Sequence, residues 1–450
     1  MKTVLKNIEK LATMNSKMEE LSNAYILIED NVIKEVGTGE APIADRVIDL
    51  SGRVVLPGFV NTHHHLYQSL FRNVPAVSSA KLFDWLVYLY ELWKNIDNEA
   101  VYVSAAVGIY EMMLTGTTTT TDMLYLHPRG KSNFIDSEID AARRCGIRFH
   151  PTRGSMSLSK KDGGLPPDSV VQTEEEIIED SVRLIEKYHD SKKYAMTRIA
   201  LAPCSPFSVT EQSMIRTLEL AEKYDVLLHT HLAETKDEEE YCLEKVGLRP
   251  IDYMEKIGWL NPRVWFAHLV WLSDEDIKKL AANDCGMAHC PTSNMRLGSG
   301  IAPVREMKDN NIRIGLAVDG SASNDSGNML LEARNAMMLQ RVAKGADALT
   351  PRDVLYMATM GGAKVLRMDD YIGSIEPGKA ADIIAFDLNQ LSLAGGLADP
   401  VASVVMCDPG RVDFVMVNGE LRIEHGHIKD DELQELIKRQ NELSKMLIGY

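Results

Sequence analysis

The sequence predicts an α/β fold in which a (β/α)8 TIM barrel, residues 58–365, is joined to a small β-sandwich domain formed by both chain ends, residues 1–57 and 366–450. Three observations support this prediction. The middle of the chain alternates apolar, strand-like runs with amphipathic helical stretches, which is typical of a parallel sheet or barrel. Both ends contain short strands separated by turns. No Walker loop or complete GxGxxG motif occurs, which favours a closed barrel over an open dinucleotide-binding sheet.

The predicted barrel strands follow one another at regular intervals. The first ends at a run of three histidines, after a Pro57-Gly58 pair that marks the change from the N-terminal strands. Threonine, a β-branched residue, dominates the second strand, and residues 273–276 form a helix-starting capping box after the sixth. The first predicted strand ends at residues 63–65, and the other seven span residues 117–123, 147–153, 198–206, 226–231, 264–268, 286–290 and 312–320.

Outside the barrel, the two chain ends have the alternating pattern of short strands. We expect these strands to pair with one another beside the barrel, and a charged helix over 430–447 to close the chain. The predicted strand regions are 24–28, 32–36 and 46–50 at the N-terminal end, and 373–387 and 411–422 at the C-terminal end.

Composition excludes several classes of protein. The net charge of −16 and the pI of about 5.3 argue against nucleic-acid binding, because nucleic-acid binders usually present a basic face. No apolar run of about 18 residues occurs, and residues 1–7 lack the apolar core of a signal peptide. The six cysteines include no CxxC pair and make no disulfide framework. We therefore expect a cytoplasmic protein that binds neither nucleic acid nor membranes.

Three consecutive histidines end the first predicted barrel strand. Side chains alternate along a strand, so His63 and His65 point to one side and His64 points to the other. Two neutral imidazoles fixed on one face can bind a metal ion and leave positions open for further ligands and a water molecule. The alternative interpretation is a histidine cluster that only packs or forms hydrogen bonds.

Other metal-binding side chains lie at the ends of later strands: His231 on the fifth, His268 on the sixth and Asp319 on the eighth. In a barrel of this type the carboxyl ends of the strands meet at one face, and the functional residues lie there. Together they predict a mononuclear site that activates water for hydrolysis. The reaction also needs groups that take and give protons. Asp319 suits the first role and Glu234 the second, while His268 either completes the metal shell or polarises the substituent on the attacked carbon.

Several motifs resemble the amidohydrolase superfamily, and within it the mononuclear aminohydrolases that deaminate purines, pterins and triazines. The fourth predicted strand has no lysine that could bridge two metal ions, which is similar to the single-metal branch. The motifs are PGFVNTHHH at 57–65, HTHLAE at 229–234, AH at 267–268, VDG at 318–320 and IEPGKAAD at 375–382.

This resemblance implies roles for the candidate residues. Glu234 would protonate a ring nitrogen, His268 would orient the hydroxide, and Asp319 would pass a proton to the departing ammonia. The cofactor would be one Zn²⁺ per chain, with Fe²⁺ or Mn²⁺ as alternatives that such a site accepts. A homodimer is the family's usual assembly. The implied zinc ligands are His63, His65, His231 and Asp319.

Two positions narrow the substrate class. Adenosine-type relatives carry a histidine in the fourth-strand motif and a ribose-binding glutamate after the Trp-Leu segment, where this chain has Cys204 and Trp93. A ribosyl substrate is therefore disfavoured. Other stretches resemble the 8-oxoguanine deaminases of this family, which implies hydrolysis of 8-oxoguanine to urate and ammonia. These stretches are 152–158, 163–169, 202–208, 318–325 and 391–397.

A planar oxo-purine needs polar partners at its edge and an apolar or aromatic surface at its face. Gln68, Arg153 and Cys204 are the candidates for the edge, and Trp93 is the candidate for a face. Guanine, isoxanthopterin and a hydroxy-triazine remain alternative heterocyclic substrates. An inactive barrel that serves as a scaffold is an alternative of another class, but it would be expected to lack at least one ligand.

Overall fold

A computed structural model describes all 450 residues of the chain. None of the helices is both long and apolar enough to cross a membrane. The strands are Lys2–Ala12 (β1), Glu20–Glu29 (β2), Val32–Thr38 (β3), Arg46–Asp49 (β4), Arg53–Pro57 (β5), Phe59–Asn61 (β6), His64–His65 (β7), Thr117–Leu124 (β8), Arg148–Ser155 (β9), Ala200–Pro203 (β10), Leu228–Leu232 (β11), Val264–His268 (β12), Gly286–His289 (β13), Arg313–Leu316 (β14), Asp319–Gly320 (β15), Ile383–Asp387 (β16), Phe414–Val417 (β17), Glu420–Glu424 (β18) and His427–Ile428 (β19). The α-helices are Leu82–Trp93 (α1), Asn98–Met113 (α2), Phe134–Cys145 (α3), Glu174–Tyr188 (α4), Glu211–Tyr224 (α5), Lys236–Lys245 (α6), Pro250–Lys256 (α7), Asp274–Ala282 (α8), Pro291–Arg296 (α9), Val304–Asp309 (α10), Met329–Lys344 (α11), Pro351–Tyr356 (α12), Gly362–Val365 (α13), Pro400–Met406 (α14) and Leu433–Ile448 (α15).

The barrel is an eight-stranded parallel sheet in the order β6, β8, β9, β10, β11, β12, β13, β14. It closes where the first and last strands meet, because the Thr62 amide donates to the Leu316 carbonyl at 3.0 Å. Just beyond this point β7 pairs in parallel with β15, which places Asp319 opposite His64. The predicted barrel fold is confirmed, and its closing seam carries two of the predicted histidines and the predicted aspartate.

The two chain ends form one nine-stranded sheet, as predicted. The N-terminal strands β1–β5 and the C-terminal strands β16–β19 join where β16 pairs antiparallel with β5. The last helix, α15, packs beside α2, where Arg439 donates to both oxygens of Glu99 at 2.7 and 2.8 Å. The domain boundaries expected at residues 57 and 366 stay predictions.

A glycine joins the two sheets. Gly58 lies between β5 and β6, and a Cβ atom at this position would lie 2.0 Å from the Thr118 hydroxyl oxygen. Any other residue would therefore force the first two barrel strands apart. The Gly58 amide also donates to the Asp382 carbonyl at 2.9 Å, which fixes the barrel entrance against the second sheet.

A buried ion pair holds the same junction. Arg148, at the start of β9, is fully buried, and its Nη2 donates to Asp382 Oδ2 at 3.1 Å. The other carboxylate oxygen accepts the Asn418 amide at 2.6 Å. A buried charge pair needs this kind of complete hydrogen bonding, because removal of one partner leaves the other charge desolvated.

We predict that Asp382→Asn lowers the free energy of unfolding by about 3–5 kcal/mol, because it leaves the Arg148 charge buried and unpaired. The matched control is Asp413→Asn, which breaks the partly exposed ion pair between Asp413 and Arg53 and should cost about 1 kcal/mol or less. Urea denaturation measures both values. Equal losses in the two variants would contradict the proposed importance of the Arg148 pair.

Candidate metal centre

Four predicted ligands meet at the carboxyl end of the barrel. The ligand atoms of His63, His65, His231 and Asp319 all lie within 4.8 Å of one another, and all four residues are buried except the partly exposed His231. The Nε2 atoms of His65 and His231 are 3.1 Å apart. Asp319 Oδ1 lies 3.2 Å from His63 Nε2 and 3.4 Å from His65 Nε2. The structure therefore brings together the complete predicted ligand set.

Backbone carbonyls fix the tautomers of two of these histidines. His65 Nδ1 lies 2.7 Å from the Met123 carbonyl oxygen, and His231 Nδ1 lies 2.6 Å from the Cys204 carbonyl oxygen. A carbonyl oxygen only accepts hydrogen bonds, so each ring carries its proton on Nδ1. The Nε2 lone pairs of both rings consequently face the centre of the cluster.

A third histidine is fixed by a relay. His229 Nδ1 donates to the Trp265 carbonyl oxygen at 2.8 Å, and its ring stacks on the Trp265 ring. His229 Nε2 must then accept a hydrogen bond, and it lies 2.7 Å from His63 Nδ1. This relay places the His63 proton on Nδ1 and leaves His63 Nε2 buried with no hydrogen-bond partner.

This donor set fits a divalent metal ion. Burial lowers the pKa of all three imidazoles, which keeps them neutral. Nitrogen lone pairs turned toward one another repel, and no proton is available to lie between them. A cation removes this repulsion, and three neutral imidazoles with one carboxylate are a typical ligand set for such an ion. The four residues can therefore hold a divalent metal.

Glu234 and His268 lie beside the ligands. Glu234 follows β11 and His268 ends β12, and His268 Nε2 is 3.5 Å from Glu234 Oε2. Burial raises the pKa of Glu234, which favours a protonated carboxyl group. Although burial opposes the charged imidazolium, the carboxylates of Glu234 and Asp319 raise the pKa of His268. The pair can therefore hold a proton next to the metal ligands.

Residues from α9 and from the segment that follows it orient this pair. The Ser299 hydroxyl donates to Glu234 Oε1 at 3.2 Å, and Asn294 Oδ1 lies 2.9 Å from His268 Nδ1. Neither residue was predicted from the sequence. The sequence shows only that both residues follow a predicted barrel strand, and this position does not indicate which side chains point toward the site.

A cavity opens directly onto these groups. Two of the predicted substrate contacts, Gln68 and Cys204, line it, and Gln68 Nε2 is buried without a hydrogen-bond partner. The apolar walls come largely from α1, whose lining residues were not predicted, although several of them repeat at intervals of four on one helix face. The apolar and aromatic lining residues are Leu82, Trp85, Leu86, Tyr90, Tyr125, Phe207 and Leu297.

The other two predicted contacts do not line the cavity. Trp93 is fully buried behind it, where its ring packs edge-on against Trp85 and Tyr90. The Arg153 guanidinium donates to Asp180 at 3.0 Å and to Gln172 at 2.8 Å. These partners use the donors of Arg153 to anchor the segment after β9.

Comparisons with known proteins agree with this geometry. The profile of the amidohydrolase family matches residues 54–422. The chain is 46% identical over 441 residues to an 8-oxoguanine deaminase of Pseudomonas aeruginosa, covering 98% of each protein. It is 33% identical to the hydroxydechloroatrazine ethylaminohydrolase of Pseudomonas sp. strain ADP, over 90% of this chain and 84% of that protein.

A solved structure is similar over nearly the whole chain. It is an atrazine chlorohydrolase from Arthrobacter aurescens TC1 complexed with zinc, with a TM-score of 0.94 and 32% identity over 98% of this chain and 100% of that one. The fold, the metal-binding cluster and the matched residues lead to one conclusion. The protein is a metal-dependent aminohydrolase, and the chain belongs to the amidohydrolase family.

Proposed function

We propose that the protein is a zinc-dependent deaminase that hydrolyses 8-oxoguanine to urate and ammonia, with one zinc ion per chain. The observation that carries this proposal is a narrow apolar cavity that joins the metal ligands to the Cys204 thiol and to Gln68 Nε2, which has no hydrogen-bond partner. The 46% identity to an 8-oxoguanine deaminase supports the same substrate. Guanine, isoxanthopterin and a hydroxy-triazine are the competing substrates.

The cavity suits a flat heterocycle. Trp85, Tyr90 and Tyr125 form aromatic walls against which a ring can lie. The Gln68 Nε2 group donates to a ring carbonyl and thereby recovers the hydrogen bond that it lacks in the protein alone. The Cys204 thiol lines the same cavity as Gln68 and the metal ligands His65, His231 and Asp319.

The residues around the ligands divide the proton transfers between them. When bound, zinc supplies an activated water, because it lowers the pKa of a bound water to about 7. The buried Glu234 carboxyl holds a proton at Oε2 and gives it to a ring nitrogen, which makes the attacked carbon more electrophilic. Asp319 accepts one proton of the attacking water and passes it to the amine, which leaves as ammonia. The second proton of the water returns to the Glu234 carboxylate as the product carbonyl forms.

Cellular location and assembly stay predictions. The six cysteines are all unpaired, as a reducing cytoplasm would keep them, and this supports the expected cytoplasmic location. We expect a homodimer from the resemblance to the family.

We predict that the zinc-loaded protein releases ammonia from 8-oxoguanine with a kcat/KM about a hundredfold above that for guanine, isoxanthopterin or a hydroxy-triazine, because buried polar groups reject rings that leave them unpaired. Glu234→Gln should lower kcat by about 10²–10⁴-fold, since an amide is not acidic enough to transfer a proton to the ring, while the zinc content stays the same. A faster reaction with another ring would overturn the substrate proposal and leave the metal centre intact.

We predict that His229→Phe weakens metal binding by about 10–100-fold, because His63 Nδ1 then loses the acceptor that fixes its tautomer. The phenyl ring preserves the stacking on Trp265. The matched control is His289→Phe, since both ring nitrogens of His289 are buried without a partner and hold no ligand in place. Competition with a chelator measures both affinities. Equal affinities in the two variants would contradict the relay.

A further inference from the structure

The turn that carries Glu234 is held in an unfavourable conformation. Ala233, between β11 and α6, has a φ angle of +53°, in the left-handed region that costs free energy for any residue with a Cβ atom. The neighbouring loop after β12 holds the turn by its carbonyl, because the amides of Val270 and Trp271 both donate to the Ala233 oxygen at 2.9 Å. The amides of the turn need a different partner.

That partner is Glu238 in the first turn of α6. Glu238 is fully buried, and its two carboxylate oxygens accept separate backbone hydrogen bonds. Oε1 accepts the Ala233 amide at 2.9 Å, and Oε2 accepts the Glu234 amide at 2.9 Å. Successive amides around a left-handed residue form a concave site for an anion. Here a side chain of the same chain fills the site.

We propose that Glu238 is a positioning residue that aims the Glu234 carboxyl at the cavity and at His268. The proposal rests on the proposed role of Glu234 as the proton donor. Glu238 does not line the cavity, so it acts only through the backbone of its neighbour. Two hydrogen bonds on adjacent amides fix the direction in which the Glu234 Cα–Cβ bond leaves the turn, which a single bond would leave free to rotate.

The geometry requires a carboxylate rather than any polar group. A glutamine at this position accepts one amide with its oxygen, but its NH2 group then faces the second amide, donor against donor. An aspartate is one methylene shorter and does not reach both amides. If only negative charge at the N-terminus of α6 were needed, Asp237 in the same helical turn would contribute as much as Glu238. The two amide hydrogen bonds, in contrast, belong to Glu238 alone.

The test compares Glu238→Gln with Asp237→Asn, both in the full-length zinc-loaded protein, using whichever ring of the substrate panel turns over. We expect Glu238→Gln to lower kcat by about a hundredfold, as a displacement of about 1 Å does, with little change in KM or zinc content. Asp237→Asn should match the wild type. Equal kcat values for the two variants would overturn the proposal.

A second variant separates positioning from stability. In Ala233→Gly/Glu238→Gln the glycine adopts a positive φ without strain, so the turn keeps its shape but the second amide still lacks its acceptor. A folded double variant with low kcat supports positioning. A double variant with wild-type kcat, or one that fails to fold, would show that Glu238 serves only the fold and would overturn the proposal.

Glu234→Gln separates the proposed role of Glu234 from that of Glu238. If that variant keeps its activity, the proposed function of Glu234 is wrong, and the role of Glu238 fails with it. If Glu234→Gln is inactive while Glu238→Gln is unaffected, the proposed function stands and only the positioning role is rejected.

Discussion

Three imidazole lone pairs that face one another at the centre of the barrel are the constraint on which the site depends. These lone pairs repel one another. The structure nevertheless holds them in this arrangement, because the carbonyl oxygens of Met123 and Cys204 and the relay through His229 keep the proton of each ring on its outer nitrogen, Nδ1. All three acceptors belong to barrel strands or their ends. The barrel backbone therefore sets the protonation state of the candidate ligands, and a cation between them would relieve the repulsion.

The candidate ligands come together only when the barrel closes. His63 and His65 belong to the first strand, and Asp319 belongs to the segment after the last, so these ligands meet only when the seam forms. The Asp319 amide donates to the His63 carbonyl at 3.2 Å across this seam. A metal that binds the finished cluster stabilises the closed barrel over any open form, which couples metal binding to folding.

The sequence was sufficient to predict the barrel, the second sheet and the convergence of the four candidate ligands, because each depends on periodicity or on strand ends that must meet. It did not distinguish Gln68 and Cys204, which line the cavity, from Trp93 and Arg153, which do not. Trp85 and Trp93 lie on the same helix, and helical spacing defines a face but not which end of it meets the ligands. Arg153 ends a strand as a ligand-binding residue would, but Asp180 of α4 occupies its guanidinium. A partner so distant in the chain leaves no local signal.

Residues in strained backbone conformations cluster at the carboxyl-terminal end of the barrel, where the candidate site lies. Ala233, His268, Leu269 and Asp319 all have φ angles between +46° and +76° without being glycine, at about 1–2 kcal/mol each. The total is a large share of the about 5–15 kcal/mol by which a domain is stable. Hydrogen bonds must therefore offset it locally. The amides of Ala233, Leu269 and Asp319 all donate to nearby acceptors, such as Leu232 O for the Leu269 amide at 3.1 Å. The strain turns each strand sharply at its end, so that Glu234, His268 and Asp319 face one point without help from a flexible loop.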